Sequence, residues 1–248
     1  MRNEFVLYPA IDILGGKCVR LLRGEYEHKT EYSDHPVAVA ERWLAAGASF
    51  LHVVDLDAAR TGAPTNEQVI RDVVLRAAAA GAKVQVGGGI RTHAAIERWL
   101  AAGVARCVIG TAALQPGWIE EAVRRFGGEA LVVGLDGRDG KLAVHGWTDQ
   151  TDVSVVDLAR QFAALGVRYA LVTDVARDGT LQGANLELAQ AVQAQGLAAI
   201  ASGGIRDVTD VLAARRAGLA GAVAGRALYD GTLDLHAAYQ ALKEEAAC

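Results

Sequence analysis

The chain has 248 residues, 52% hydrophobic and 22% charged, with a formal net charge of −4. That is the balance of an ordinary folded globular protein, without the basic run a nucleic-acid backbone would need, so no nucleic-acid partner is expected. No run of about 18 apolar residues offers a membrane span, and MRNEFVLYPAID lacks the long apolar core of a secretory signal, so a cytoplasmic location without a membrane partner is expected.

The predicted strands are short apolar runs. In chain order they are EFVLYPAI (4–11), SFLHVVDL (49–56), KVQVG (83–87), RCVIG (106–110), ALVVGL (130–135), RYALVT (168–173), LAAIAS (197–202) and AGAVAG (220–225). Helical patterns alternate with them at 36–47, 65–81, 92–103, 115–126, 152–166, 185–196, 207–218 and 234–246. The second of these opens on Thr65 with Gln68 three residues on, the spacing of a capping box. The strands are apolar throughout rather than alternating, as strands covered on both faces are. Eight strand–helix units imply a parallel sheet with right-handed crossovers. A chain of 248 residues fits one barrel of about 250.

The chain also repeats itself. VGGGIR (86–91) and SGGIR (202–206) each precede a helix and a second glycine. Gly89 and Gly110 are 21 residues apart, as are Gly204 and Gly225, and the second pair lies 115 residues after the first. Asp55 and Asn66 match Asp174 and Asn185 at an offset of 119, and Asp12 matches Asp136 at 124. That period is far longer than the roughly 20–50 residues of a solenoid unit. An open doubly wound sheet has no reason to repeat its halves. The expected fold is therefore an α/β (β/α)8 barrel, one domain over 1–248, built from two similar half-barrels of about 1–125 and 126–248.

In such a barrel, reactive residues sit at the C-terminal strand ends. Those ends carry Asp12, then Asp55 and Asp57, Gly87 to Gly89, Gly110 with Thr111, Asp136, Thr173 with Asp174, Ser202 to Gly204, and Gly225 with Arg226. Glycine lets a backbone approach an anion and turn its N–H groups toward it. Gly88, Gly89, Gly110 and Thr111 thus read as one phosphate site, and Gly203, Gly204, Gly225 and Arg226 as a second. Gly183 is a further candidate for ligand contact. Asp12 and Asp136 face each other across the ring, a pairing suited to acid–base work. Asp174 and Thr173 are also catalytic candidates, whereas Asp55 and Asp57 suit structural roles at least as well.

Other chemistries find no support. Cys18, Cys107 and Cys248 are odd in number and widely spaced, and read as incidental thiols. The six histidines show no ligand spacing, so no metal is expected. His52 reads as a packed core residue and His93 as a solvated one. There is no dinucleotide fingerprint, P-loop or GxSxG, and no strand-end lysine for a Schiff base, so no cofactor is expected.

Taken together, PAIDILGGKCVRLLRGE, VVDLD, GGGIR, GTAAL, VGLDGRDGKLAVHGW, VTDVARDGTLQGAN, ASGGIR and GRALY resemble the phosphoribosylformimino-aminoimidazole carboxamide ribotide isomerases of histidine biosynthesis. The resemblance covers essentially the whole chain. It implies a cofactor-free Amadori rearrangement of an aminoaldose with a phosphate at each end; the expected state is a monomer. Asp12 matches the family's base, and the acid is Asp136 or Asp174, with Thr173 alongside. Arg20 matches a substrate-contacting position. Trp147, in HGW, either stacks on the imidazole or packs in its loop. Three alternatives remain. One is the cyclase subunit of imidazole glycerol phosphate synthase, which differs at strand 1 and usually reads GGAG for GGIR. Another is a dual isomerase that also takes phosphoribosyl anthranilate. The last is a silent phosphate-binding scaffold, against which the retained strand-end aspartates argue.

Overall fold

The computed structural model describes residues 5–144, 147 and 149–247. Eight parallel strands close into a barrel: β1 (Val6–Leu14), β4 (Phe50–Asp55), β5 (Lys83–Gly87), β6 (Arg106–Ile109), β7 (Leu131–Arg138), β10 (Tyr169–Asp174), β11 (Ala198–Ser202) and β12 (Gly221–Ala224). Each pairs with the next in parallel, and β12 pairs back onto β1 through Val6 opposite Gly221. The fold is a (β/α)8 barrel.

The main crossover helices are α1 (Pro36–Ala45), α3 (Glu67–Ala79), α4 (His93–Ala101), α5 (Trp118–Phe126), α6 (Val155–Ala164), α7 (Leu186–Gln193), α8 (Val208–Arg216) and α10 (Leu235–Ala247). Two short helices are added, α2 (Leu56–Thr61) after β4 and α9 (Arg226–Asp230) after β12. Several N-termini are capped as their sequences dictate. Thr92 accepts from Ala95 N at 3.2 Å and Asp207 from Asp210 N at 3.1 Å. The expected box at Thr65 does not form. The helix starts two residues later, because Asn66 directs its side chain into the barrel mouth and Gln68 bonds Asp72 instead.

Two antiparallel hairpins extend the barrel. β2 (Lys17–Leu22) and β3 (Glu25–Ser33) follow β1, and β8 (Lys141–Val144) and β9 (Asp149–Ser154) follow β7. Both leave the first strand of a half-barrel. They escape an apolar-run criterion because their outer strands are exposed and polar, like EYEHKTEYS. The sixth helix accordingly begins at Val155, capped by Ser154, rather than at 152.

Two packed zones hold the barrel together. The helices bury Ile70, Ile96, Val133 and Ala199 against the outer face of the sheet. The inner face packs Tyr8, Ala10, Phe50, Val132, Leu171, Ile200 and Val223. At the N-terminal end Arg106 plugs the barrel. Its guanidinium lies 3.6 Å from the Tyr169 ring centroid and 4.8 Å from that of Phe50, and Nη1 donates to Tyr8 OH at 3.0 Å.

The repeat is visible in the bonding. Asp55 Oδ1 accepts from Asn66 Nδ2 at 2.7 Å, and Asp174 Oδ2 accepts from Asn185 Nδ2 at 2.8 Å, each pair 11 residues apart. Each bond ties a strand end to the start of the next long helix. In the first half the net is larger. Asp57 Oδ2 accepts from Gly15 N at 2.6 Å and Asn66 Nδ2 at 2.8 Å, while Asn66 Oδ1 accepts from Gly16 N at 2.9 Å, fixing the β1–β2 turn. Asn66→Ala strips several bonds from buried partners and should destabilise the fold by about 2–3 kcal/mol. Asn185→Ala, at a less buried site, should cost about 1 kcal/mol. Urea unfolding of both variants checks the order; equal losses would mean that the larger net adds nothing.

Candidate active site

The mouth of the barrel encloses a cavity of about 550 Å³. Asp12, Arg20, Asp136, Thr173, Trp147 and Asp178 all line it. Arg20 on β2 is its electrostatic centre. Its Nη1 donates to Asp12 Oδ2 at 2.6 Å, and Nη2 lies 3.6 Å from Asp178 Oδ1. All three side chains are almost fully buried, and Arg20 Nε has no partner among the described residues.

The two glycine loops have matching geometry. Gly88 and Gly89 have φ of +93° and +67°, and Gly203 and Gly204 of +84° and +94°. A side chain is excluded at each: a Cβ on Gly88 would lie 2.2 Å from Asp55 O, and one on Gly203 2.9 Å from Asp174 O. The same carbonyl of each repeat therefore backs the same glycine. Gly183 supports the second loop rather than facing the large cavity, donating from its N–H to Gly204 O at 2.8 Å. Gly110 and Thr111 complete the first clamp on the cavity wall. Gly225 and Arg226 complete the second, where the free volume is only about 20 Å³, little more than one water needs. Arg20 narrows it, since a Cβ on Gly225 would lie 2.6 Å from Arg20 Cζ. Arg226 is held back by Gly179 O at 2.8 Å and Asp230 Oδ2 at 2.8 Å. With Arg20 in this position the clamp has no room for a group larger than a water.

The hairpins meet over the mouth. Trp147 adopts φ +73°, an uncommon conformation for a bulky residue. Its Nε1 donates to Asp136 Oδ2 at 2.9 Å. Its ring packs on Gly24, at the β2–β3 turn, so closely that a Cβ there would sit 2.4 Å from the indole. His145 and Gly146 of the HGW stretch lie outside the described residues.

Residues 6–234 match the family described as histidine biosynthesis protein. A 1-(5-phosphoribosyl)-5-((5-phosphoribosylamino)methylideneamino) imidazole-4-carboxamide isomerase of Thermomicrobium roseum is 49% identical over 228 residues, 91% of this chain and 93% of its own. Relatives of the same name from Cereibacter sphaeroides and Brevibacillus brevis are 46% and 43% identical, covering 96% and 97% of this chain and 99% and 97% of their own. The chain belongs to the histidine biosynthesis family. Within this family member, the strand-end aspartates divide into two groups. Asp174 is taken up by the scaffold: Oδ1 accepts from Ala176 N at 3.0 Å and Oδ2 from Asn185. It does not line the cavity, whereas Asp178, four residues on, does. Repeat comparison passes over Asp178 because its partner in the first half is Ala59, so the half-chain match carries no signal there. The second aspartate of DVARDG is the available clue.

Burial sets the electrostatics. It pushes the Asp12 carboxyl up to about 6, against the opposing pull of Arg20. Asp178 is raised by burial too, with Arg20 and the Gly179 N–H pulling back. Asp136 is raised by burial while Trp147 and Thr173 donate to its carboxylate. Among the described residues no three metal-ligating side chains gather. Cys18 and Cys107 are buried, and burial pushes both thiols up to about 12, which leaves them unreactive. His93 is packed rather than solvated: Nε2 lies 3.0 Å from Trp118 O and the ring stacks on Trp118. Because Arg20 lowers both Asp12 and Asp178, Arg20→Gln should raise both carboxyls further. A carbon-13 carboxyl titration should place Asp12 near 6 in the wild type and higher in the variant. An unmoved midpoint would detach Arg20 from Asp12.

Proposed function

We propose that the chain is the aldose–ketose isomerase of histidine biosynthesis, converting the bisphosphorylated imidazole carboxamide aminoaldose to its aminoketose. One observation carries this reading. Arg20 is held between two buried carboxylates in a mouth with a glycine clamp on either side. The relatives are named for a substrate with two phosphoribosyl groups, one for each clamp.

The chemistry follows from the groups in reach. Asp178, whose carboxyl is raised by burial against the pull of Arg20, donates a proton to the ribose ring oxygen. The C1–O bond breaks and leaves a protonated Schiff base. Asp12 removes the C2 proton; that bonding pair becomes the C1–C2 double bond, and the nitrogen takes up the displaced pair. The resulting enolamine loses its C2 hydroxyl proton and gains a proton at C1, giving the ketone. C1 is reduced as C2 is oxidised, so the conversion needs no cofactor or metal. Asp136, with Trp147 and Thr173 as donors, serves as a fixed acceptor for a substrate hydroxyl or ring N–H. Asp174 serves through Asn185, as an anchor. Both clamps and all these carboxylates come from one chain, so the site needs no residue from a second copy; a cytoplasmic monomer acting on a small molecule completes the reading.

Incubation of the purified protein with the aminoaldose, followed by chromatography of the ketose, tests the reading. Conversion of phosphoribosyl anthranilate in a parallel reaction would widen it to a dual isomerase. Asp12→Asn and Asp178→Asn should each lower kcat by at least about 100-fold with the fold intact. Asp174→Asn should lose stability more than turnover. As a base, Asp12 works only when ionised, so kcat/KM should fall as pH drops through about 6. Near-normal turnover by Asp12→Asn would remove it as the base.

A further inference from the structure

The inner face of the barrel is layered. Asp12, Asp136 and Thr173 face the mouth, while Tyr8, Phe50 and Arg106 close the opposite end. The layer between them is apolar at Ala10, Leu171, Ile200 and Val223. Two of its members are not. His52 and Gln85 are register partners on β4 and β5, 5% and 0% exposed. Burying such a pair is unfavourable unless its polar atoms are matched, and the match is incomplete, because Gln85 Oε1 is buried without a partner among the described residues. Stability alone does not select this pair over two aliphatic side chains.

The one bond it makes is informative. Gln85 Nε2 lies 3.0 Å from His52 Nδ1. With the amide turned so that its NH2 faces the ring, as here, Nδ1 is the accepting nitrogen and the ring proton belongs on Nε2. His52 also lines the 550 Å³ cavity. Its Nε2, on the far side of the ring from Gln85, makes no hydrogen bond among the described residues. His52 pairs with Ala10, two residues before Asp12 on the neighbouring strand, and so sits one inward layer below the base. Burial, with Arg20 adding to it, holds the imidazole down to about 3, so the ring stays neutral. A neutral N–H donor aimed at an oxygen stabilises charge there without giving up its own proton.

We propose that His52 is a further catalytic residue and Gln85 its positioning residue: His52 Nε2–H donates to the oxygen on the sugar carbon that Asp12 deprotonates. This rests on the isomerase reading above. The bond holds the charge that gathers on that oxygen as the enolamine hydroxyl releases its proton and C1 gains one. His52 keeps its proton throughout, so the balance of the reaction is unchanged.

Nitrogen-15 spectra of the full-length protein should show His52 with bare Nδ1 and protonated Nε2 from about pH 5 to about 8. His52→Leu should lower kcat about 100-fold with KM within about twofold and melting behaviour retained. His52→Asn, which keeps an N–H donor, should recover about tenfold of that loss, and Gln85→Leu should lower kcat about five- to tenfold. A ring proton on Nδ1, or wild-type kcat in a folded His52→Leu protein, would overturn the proposal. Should His52→Leu fail to fold, the tautomer and the His52→Asn kinetics decide. A wild-type protein that does not isomerise the aminoaldose removes both readings, whereas an active wild type with unaffected variants removes only this one.

Discussion

A buried guanidinium between two buried carboxylates organises this molecule. Arg20 comes from the first hairpin, Asp12 from β1, and Asp178 from the loop after β10, so one cation joins segments 166 residues apart in the chain. Three charges taken out of water are a poor bargain for stability unless each is matched. Here the match is partial: Arg20 Nε has no partner among the described residues, and both carboxyls remain raised despite the cation. Shifted carboxyls gathered in one cleft are the mark of a site built for proton transfer rather than for stability.

The scaffold beneath this centre is two-fold and the chemistry upon it is not. Each half supplies a hairpin after its first strand, an aspartate–asparagine tie and a glycine loop backed by the aspartate carbonyl. A substrate with a phosphate at each end has use for both loops. At the mouth between the loops, however, the halves diverge. Asp178 stands where the first half has Ala59, and Thr173 where it has Val54. The tie in the first half is reinforced by Asp57, whose counterpart is Ala176, and it steadies the turn that leads to Arg20.

Much of this architecture is legible in the amino-acid sequence. Eight unbroken apolar runs become eight barrel strands, because strands covered on both faces carry no alternation. The 21-residue glycine spacing locates both loops. The hairpins are not legible, since exposed strands such as Glu25–Ser33 are polar and read as loop. Repeat comparison favours residues present in both halves, so it draws attention to Asp174, which the fold sets among scaffold bonds, and away from Asp178, which the fold sets in the cavity. His52 reads as a packed core residue, and it is packed; that the same ring also borders the cavity depends on the depth of the mouth, which no local pattern records.

The central claim is that one ligand spans both clamps with its reacting carbons beside Asp12. A crystal structure of Asp12→Asn with the bisphosphorylated substrate bound tests it most directly. One phosphoryl group should lie against Gly88, Gly89 and Gly110 and the other against Gly203, Gly204 and Gly225. Arg20 should be drawn off Gly225, and the sugar carbons should lie between residue 12 and Asp178. A ligand engaging a single clamp, or one whose sugar lies away from Asp178, would contradict it.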